Sequence, residues 1–183
     1  MAVPRPATQG ALVLELPDPC VVLLVGPAGA GKTTFARRLF ASEEILSSDA
    51  FRALVSGDEA DQRATRRAFA MLNRTLVRRL ADGLLSVVDA TNLERHARRA
   101  IATRAAAARV PTVALVFDVP LRTALARNRL RPGRRVPDAV VAMHRGMLDR
   151  LLDGGSLDGE GHALVAVLDP VALDSAVVRR SPP

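Results

Sequence analysis

The stretch Gly26–Thr33 constrains this chain more than any other feature. It reads Gly-Pro-Ala-Gly-Ala-Gly-Lys-Thr and matches the pattern Gly, four residues, Gly-Lys-Ser/Thr. The apolar run 20–25 before it is typical of a buried parallel strand, and apolar residues recur at helical spacing over 34–40. Strand, glycine loop and helix in this order predict a loop whose backbone N–H groups and helix N-terminus hold a phosphate group.

This phosphate-binding loop provides the first candidate site residues. We expect Lys32 to reach the β- and γ-phosphates of ATP, and the Thr33 hydroxyl to bind Mg²⁺. Lys32 is the only lysine in a chain whose other basic residues are all arginine, which favours a position that needs a compact point charge. The remaining candidate contacts to the nucleotide within this stretch are Gly26, Gly29, Ala30, Gly31 and Thr34.

Length and composition are those of a globular protein. The chain has 183 residues, with 49% hydrophobic and 25% charged, which predicts a single domain over 1–183 with its core at about 12–170. One cysteine excludes an internal disulfide framework and suits a reducing compartment. No signal sequence and no run of membrane-spanning length are present, so we expect a soluble, cytoplasmic protein without a membrane partner. The sequence does not indicate the oligomeric state.

The net charge of +7 is compatible with two interpretations. It favours polyanionic partners such as nucleotides or nucleic acid. It also fits a solvated arginine surface encoded by GC-rich codons. Aromatic residues make up only 3% of the chain, with no Trp or Tyr, which argues against a base-stacking platform.

Predicted strands alternate with predicted helices along the whole chain. Short strands are expected at 44–49, 84–89, 113–117 and 163–168 after the one that precedes the loop, and the tail is expected to add only a turn or two of helix. This alternation predicts an α/β fold, a parallel sheet with helices on both faces. Ligands of such sheets bind beyond the carboxyl ends of the strands, where Gly26, Asp49 and Asp89 should converge.

Asp49 and Arg52 are three residues apart, so one helical face can direct both into the same cleft. Beside a phosphate-binding loop, Asp49 can act as the base that orients an acceptor hydroxyl, and Arg52 can hold the transferring phosphate. The alternative is an N-cap with a surface ion pair. Asp89 would contact the magnesium ion, whereas Asn92 is expected to cap the next helix.

A basic segment at about 127–137 is interrupted by Pro and Gly. Arg127 and Arg131 are four residues apart, on one face of a predicted helix, with Arg134 beyond the turn. The segment is typical of a lid that delivers arginines to a triphosphate, or of a solvated basic loop. The three histidines, His96, His144 and His162, have no partner at useful spacing and are expected to be surface or boundary residues.

The combined motifs resemble the 5′-polynucleotide kinase module of bacterial and phage polynucleotide kinase-phosphatases. The resemblance covers about residues 12–170 and is carried by the loop and helix 26–36, by Ser-Ser-Asp-Ala-Phe-Arg at 47–52, by Asp-Glu-Ala-Asp-Gln at 58–62, by Val-Asp-Ala-Thr-Asn at 88–92 and by the lid. It implies a P-loop kinase fold with a basic helical lid, and an ATP- and Mg²⁺-dependent transfer to the 5′-OH end of DNA or RNA.

The same resemblance implies catalytic roles for individual residues. Lys32 and Thr33 would bind ATP·Mg²⁺, Asp49 would be the general base, Arg52 would contact the scissile phosphate, and Arg127 and Arg131 would act on the donor phosphates. These 183 residues include no phosphatase or ligase module, so we expect either a stand-alone kinase or an excised domain. Two other functions stay open: a kinase of a small-molecule hydroxyl, and a nucleotide- or nucleic-acid-binding module without transfer activity.

Overall fold

The computed structural model describes residues 11–58, 61–131, 135–155 and 157–182. These residues form seven β-strands: β1 Val13–Pro17, β2 Val21–Val25, β3 Ile45–Ser47, β4 Ser86–Asp89, β5 Thr112–Phe117, β6 Leu164–Leu168 and β7 Val177–Ser181. The four predicted strands after the loop are present, three of them with shorter bounds and β5 one residue longer. Glu59 and Ala60 of the predicted 58–62 motif, and Pro132 to Arg134 of the predicted lid, lie outside the described residues.

Helices connect the strands of the central sheet. They are α1 Lys32–Leu39, α2 Ser48–Ser56, α3 Thr65–Ala81, α4 Arg95–Ala107, α5 Leu121–Arg129, α6 Asp138–Asp153 and α7 Pro170–Ser175, with short 3₁₀ turns at Ser42–Glu44 and Gln62–Ala64. No helix in the described ranges has the length and apolar content needed to cross a bilayer.

The central sheet contains five strands in the order β3-β4-β2-β5-β6, and each neighbouring pair is parallel. Strand β2 lies in the middle and is fully buried. Its alternate residues enter different cores: Val22 and Leu24 pack on one face of the sheet, and Val21, Leu23 and Val25 pack on the other. Burial on both faces explains the uninterrupted apolar run in the sequence and confirms the predicted α/β class.

A second, two-stranded sheet joins the two ends of the described chain. Strand β1 pairs in parallel with β7, from Val13 opposite Val177 to Pro17 opposite Ser181. The tail therefore contains a strand besides helix α7, and the prediction of only a turn or two of helix was wrong. Strand β7 reads Val-Val-Arg-Arg-Ser and is mostly exposed, so it has no hydrophobic alternation that would indicate a strand.

The long helix α3 presents a narrow apolar stripe to the sheet. Ala68, Leu72, Leu76 and Leu80 are buried along this stripe. Met71 lies outside the stripe and is 38% exposed. It lies about 100° away from Leu72 around the helix, because each residue advances the helix by that angle.

Candidate active site

The phosphate-binding loop connects the end of β2 to the start of α1. Gly29 has a φ of +79°, and a Cβ built on it would lie 2.1 Å from the carbonyl oxygen of Ala124 in α5. Glycine is therefore required here both by the left-handed backbone and by the close approach of α5. This contact places α5, and with it Arg127, beside the loop.

The N-terminus of α1 is suited to an anion. Its first turn contains no acidic residue, and Gly31 before it has a φ of +95°. A Cβ on Gly31 would stand 3.4 Å from a guanidinium nitrogen of Arg127, and the same nitrogen lies 3.5 Å from the Ala30 carbonyl. The helix dipole and the Arg127 charge thus act on the same small volume, which fits the binding of nucleotide phosphates.

Lys32 and Thr33 are the first two residues of α1. The Lys32 ammonium group donates to the carbonyl oxygens of Gly26 (2.8 Å) and Pro27 (2.7 Å), so its charge lies across the loop. The Thr33 hydroxyl donates to Asp89 at 2.7 Å. Ala30 is buried in the loop, and Thr34 is exposed in the first turn of the helix.

The pair of Thr33 and Asp89 fits a magnesium ion held in part by a nucleotide. Both groups offer oxygen ligands, which Mg²⁺ prefers. Across the described residues, no cluster of three His, Cys, Asp or Glu side chains could hold a metal by itself. A magnesium ion at this place would therefore depend on Thr33, Asp89 and the nucleotide phosphates together, where it would neutralise phosphate charge.

Asp49 lies at the same edge of the sheet, in the first turn of α2. Strand β3 ends at Ser47, which is in register with Asp89 of β4. One carboxylate oxygen of Asp49 accepts from Arg52, and the other accepts from Arg131 at 2.7 Å. The expectation that Asp49 ends a strand was wrong by two residues, although its position at the carboxyl edge is as predicted.

The structure does not support the alternative interpretation of Asp49 as an N-cap. The N-cap of α2 is Ser47, whose hydroxyl accepts from the backbone N–H of Ala50. The ion pair between Arg52 and Asp49 is not a surface ion pair either, since only 4% of Arg52 is exposed. Asp49 therefore holds two arginine side chains at the site, one of them buried.

Arg127 and Arg131 both reach the site, but not from one helical face. Helix α5 ends at Arg129, so Arg131 lies in the turn that follows the helix, and its side chain reaches Asp49. The predicted helical pairing of the two arginines was wrong because helix α5 ends before Arg131. Arg127 contacts the loop, and Arg131 contacts the candidate base.

A buried asparagine connects the described residues on the two sides of the basic segment. The side chain of Asn128 donates to the Val136 carbonyl at 2.7 Å and accepts from the Val136 N–H at 3.2 Å. This reciprocal bridge connects the end of α5 to the residue just before Pro137, which caps α6. An Asn in an arginine-rich helix gives no sequence signal for such a role, and sequence reasoning missed it.

The sequence predicted that Asn92 caps the next helix, and this prediction was wrong. Its amide donates to the carbonyl oxygens of Leu24 (2.9 Å) and Val88 (3.1 Å), and only 5% of the residue is exposed. It thus connects the carboxyl ends of β2 and β4, directly behind the phosphate-binding loop. The N-cap of α4 is Glu94.

His162 was predicted to be a surface or boundary residue; the residue as a whole is half-buried, but its ring has partners that the sequence did not indicate. Its ring is fully buried, with one nitrogen 2.8 Å from the Thr112 hydroxyl and the other 3.5 Å from Glu160. Burial lowers the pKa of His162, although Glu160 opposes this. Burial alone would raise the pKa of Glu160, but the guanidinium of Arg98, 2.6 Å away, helps to lower it below its ordinary value.

Two clefts are of interest, and the smaller of them adjoins the site. The smaller, which we name the acceptor-side cleft, has a volume of about 240 Å³ and is lined by Thr33, Arg37, Phe40, Ser42, Ile45, Ser47 and Ala50. A larger one of about 560 Å³ lies between α4 and the start of β5, at the edge opposite the phosphate-binding loop. The acceptor-side cleft contacts both the candidate magnesium ligand Thr33 and the helix turn that carries Asp49.

Comparison with known families agrees with this geometry. A family model described as an AAA domain matches residues 21–151, which include the loop, both candidate carboxylates and both lid arginines. This chain belongs to the AAA domain family. Its parallel sheet flanked by helices is the P-loop kinase fold. No curated protein matches the sequence significantly.

Solved structures with the same fold have different activities. A chain of the Pnkp1/Rnl/Hen1 RNA repair complex superposes with a TM-score of 0.65 and 21% identity, over 80% of this chain and 47% of its own length. The AvrRxo1-ORF1:AvrRxo1-ORF2 complex with ATP gives 0.54 and 17%, over 76% and 52%. A gluconokinase from Sinorhizobium meliloti 1021 gives 0.50 and 18%, over 84% of each chain. The chain described here spans about half the length of the matched chains in the first two of these structures.

Proposed function

We propose that this protein is an ATP-dependent kinase that phosphorylates the 5′-OH end of DNA or RNA, with residues 1–183 acting as one kinase domain. The observation that carries the proposal is the position of Asp49, whose carboxylate lies between Arg52 and Arg131 at the edge of the sheet that also holds the phosphate-binding loop. A nucleotide-binding module without transfer activity has no need of a carboxylate at this place.

Each charged group of the site has a role in a direct in-line transfer. Asp49 accepts the proton of the attacking hydroxyl while the new O–P bond forms and the bond to the ADP leaving group breaks. Arg52 and Arg131 bind the transferring phosphoryl group, and Arg127 and Lys32 stabilise negative charge on the donor phosphates. Because Arg131 occupies one oxygen of Asp49 here, it has to release that oxygen when an acceptor hydroxyl arrives.

The nature of the acceptor rests on charge and on resemblance. The chain has a net charge of +7, and a nucleic-acid end brings several phosphates to the site, whereas a small alcohol brings few. The motifs at 47–52 and 88–92 resemble those of polynucleotide kinases. The RNA repair complex among the similar structures is compatible with the same acceptor class.

A kinase of a small-molecule hydroxyl is the second candidate. The acceptor-side cleft favours it, because about 240 Å³ beside Thr33 is enough for a single sugar-sized group. The fold is shared with a gluconokinase. In this alternative the donor site is the same and only the acceptor differs.

An acceptor panel distinguishes the two. Labelled γ-phosphate from ATP is offered with a 5′-OH oligonucleotide, a nucleoside 3′-monophosphate and a set of sugars and other small alcohols. We expect transfer to both nucleic-acid acceptors, with a lower Michaelis constant for the longer one. Transfer to a sugar or another small alcohol alone would support the second candidate and exclude the first.

A further inference from the structure

Helix α3 has an unusual charge composition. Its 17 residues include five arginines and no acidic residue. Arg79 turns inward and donates to the Leu85 carbonyl (2.7 Å) and the Ser86 hydroxyl (3.0 Å), which anchors the helix to the start of β4. The other four arginines are exposed.

Three of these exposed arginines form one strip. Arg67, Arg74 and Arg78 share a face of the helix, since they fall within about 40° of each other at 100° per residue. The face lies opposite the buried stripe that begins at Ala68. Met71, 38% exposed, lies on the same face between Arg67 and Arg74. We call Arg67, Arg74 and Arg78 the arginine strip.

The arginine strip has no counter-charges among the described residues, in contrast to several other arginine side chains of this protein. Arg129 pairs with Asp138, Arg145 with Asp118 and Asp149, and Arg179 with Glu15. Within the described part of the chain, no carboxylate pairs with any residue of the strip. Three like charges on one face repel each other, so the strip favours a bound polyanion.

The strip runs along α3 from the active-site edge of the sheet towards the opposite edge. Helix α3 ends at Ala81, shortly before β4 starts at Ser86, so its C-terminus lies at the edge opposite the active site. A helix of 17 residues is about 25 Å long, longer than the strands beside it, and its N-terminal part packs along α2, which carries Asp49. Arg67 therefore lies on the active-site side. Arg74 and Arg78 follow at about 10 and 16 Å along the axis.

We propose that the arginine strip binds the backbone phosphates of the acceptor strand, downstream of the nucleotide whose 5′-OH lies at Asp49. This inference rests on the proposed function and specifies its substrate: a single-stranded nucleic acid long enough to lie along α3. Arginines exposed along one face of a helix contact phosphates and not base edges. The strip therefore adds affinity without a preference for particular bases.

The test compares two triple variants with the same change in charge. The strip variant is Arg67→Gln/Arg74→Gln/Arg78→Gln. The control is Arg99→Gln/Arg104→Gln/Arg150→Gln, whose arginines lie on α4 and α6 and have no carboxylate partner among the described residues. Both are assayed with a 5′-OH strand of about twelve nucleotides and with a nucleoside 3′-monophosphate at several salt concentrations.

For the strip variant we expect the Michaelis constant of the longer strand to rise about tenfold or more at low salt, because three exposed charge contacts are lost. The slope of log affinity against log salt should fall by about 2, at about 0.7 per phosphate of a single strand. Turnover on the nucleoside 3′-monophosphate should stay within about twofold, because this acceptor does not reach the strip. The control variant should behave as wild type on both acceptors. Equal effects in both variants, or a wild-type salt slope in the strip variant, would overturn the proposal.

A direct binding measurement separates this inference from the proposed function. The fluorescence anisotropy of the labelled strand is recorded with wild type and both variants in the absence of ATP. If wild type transfers no phosphate to nucleic acid but binds the strand through the strip, the kinase proposal fails and the strip keeps its nucleic-acid binding but loses its acceptor role. If transfer occurs and binding does not depend on the strip, the strip proposal fails alone.

Discussion

At the scale of single residues, Asp49 carries the largest share of the chemistry. Asp49→Asn keeps the size of the side chain but removes its ability to accept a proton. We expect turnover to fall by at least ~10² while the affinity for ATP stays within a few-fold. Steady-state kinetics and nucleotide binding measure both quantities.

Asp169→Ala is a control that removes a helix cap outside the site. Asp169 is the N-cap of α7 and its side chain accepts from the backbone N–H of Ala172, so the change should cost about 0.5–2 kcal/mol of stability and leave turnover nearly unchanged. If Asp49→Asn instead lowered the free energy of unfolding and the activity in parallel, the role of Asp49 would be structural.

Arg131 and Arg129 offer a second comparison at this scale. Arg131 contacts Asp49, whereas Arg129 pairs with Asp138 near the start of α6. Arginines that stabilise a phosphoryl-transfer transition state supply on the order of 10³-fold in turnover, about 4 kcal/mol. Arg131→Ala should therefore lower kcat strongly, and Arg129→Ala should change it by less than about threefold, as expected for an exposed ion pair. An Arg131→Ala variant that changes only the affinity for the acceptor would exclude a role in the transfer step.

At the scale of elements, the contact between the phosphate-binding loop and α5 is decisive. Gly29 and Gly57 have nearly the same backbone, with φ of +79° and +76°, but a Cβ on Gly57 meets nothing within 4 Å. Both Gly→Ala variants should lose about 1 kcal/mol of stability to backbone strain. Gly29→Ala should in addition displace α5 and the arginines that follow, because its Cβ would overlap the Ala124 carbonyl.

Nucleotide binding measures this difference. We expect Gly29→Ala to weaken ATP binding at least about tenfold, because Arg127 loses its position beside the loop in this variant. Gly57→Ala should leave ATP binding unchanged, because it does not displace Arg127. Equal nucleotide affinities in the two variants would show that the position of α5 does not matter for the donor site.

At the scale of the whole molecule, one buried charged cluster makes stability depend on pH. Arg98 and Glu160 are each about 1% exposed and pair at 2.6 Å, with the fully buried ring of His162 beside them. The folded-state pKa values of His162 and Glu160 both lie below their ordinary values. The unfolded chain therefore binds protons first as the pH falls, below about 6.5 for the histidine and below about 4.5 for the glutamate.

The free energy of unfolding should accordingly decrease from pH 7 to pH 5, as denaturant titrations can measure. His162→Gln should flatten this decrease, whatever its effect on stability at pH 7. His96→Gln is the control, because His96 is largely exposed, and its variant should keep the wild-type slope. A wild-type slope in His162→Gln would show that the buried ring is not responsible.

The features that the sequence predicted are local ones. The phosphate-binding loop, the strand before it and the helix after it follow from spacing and periodicity within 26–36 and its flanks, and the alternation of elements predicts the parallel sheet. Two of the contacts that sequence reasoning missed join distant segments: Thr112 with His162, and β1 with β7. A contact between residues far apart in the chain produces no periodic pattern in the sequence. A polar residue such as Asn92 also gives the same sequence pattern whether it caps a helix or connects two strands.

The central claim is that the phosphoryl group of ATP goes to a 5′-hydroxyl, and the most direct measurement uses two otherwise identical oligonucleotides. One has a 5′-OH and the other a 5′-phosphate, and each is incubated with γ-labelled ATP and Mg²⁺, with the Lys32→Ala variant as the inactive control. We predict that label appears only in the 5′-OH strand, only with wild type, and at its terminal nucleotide. Label in neither strand, or equal label in both, would contradict the proposed function.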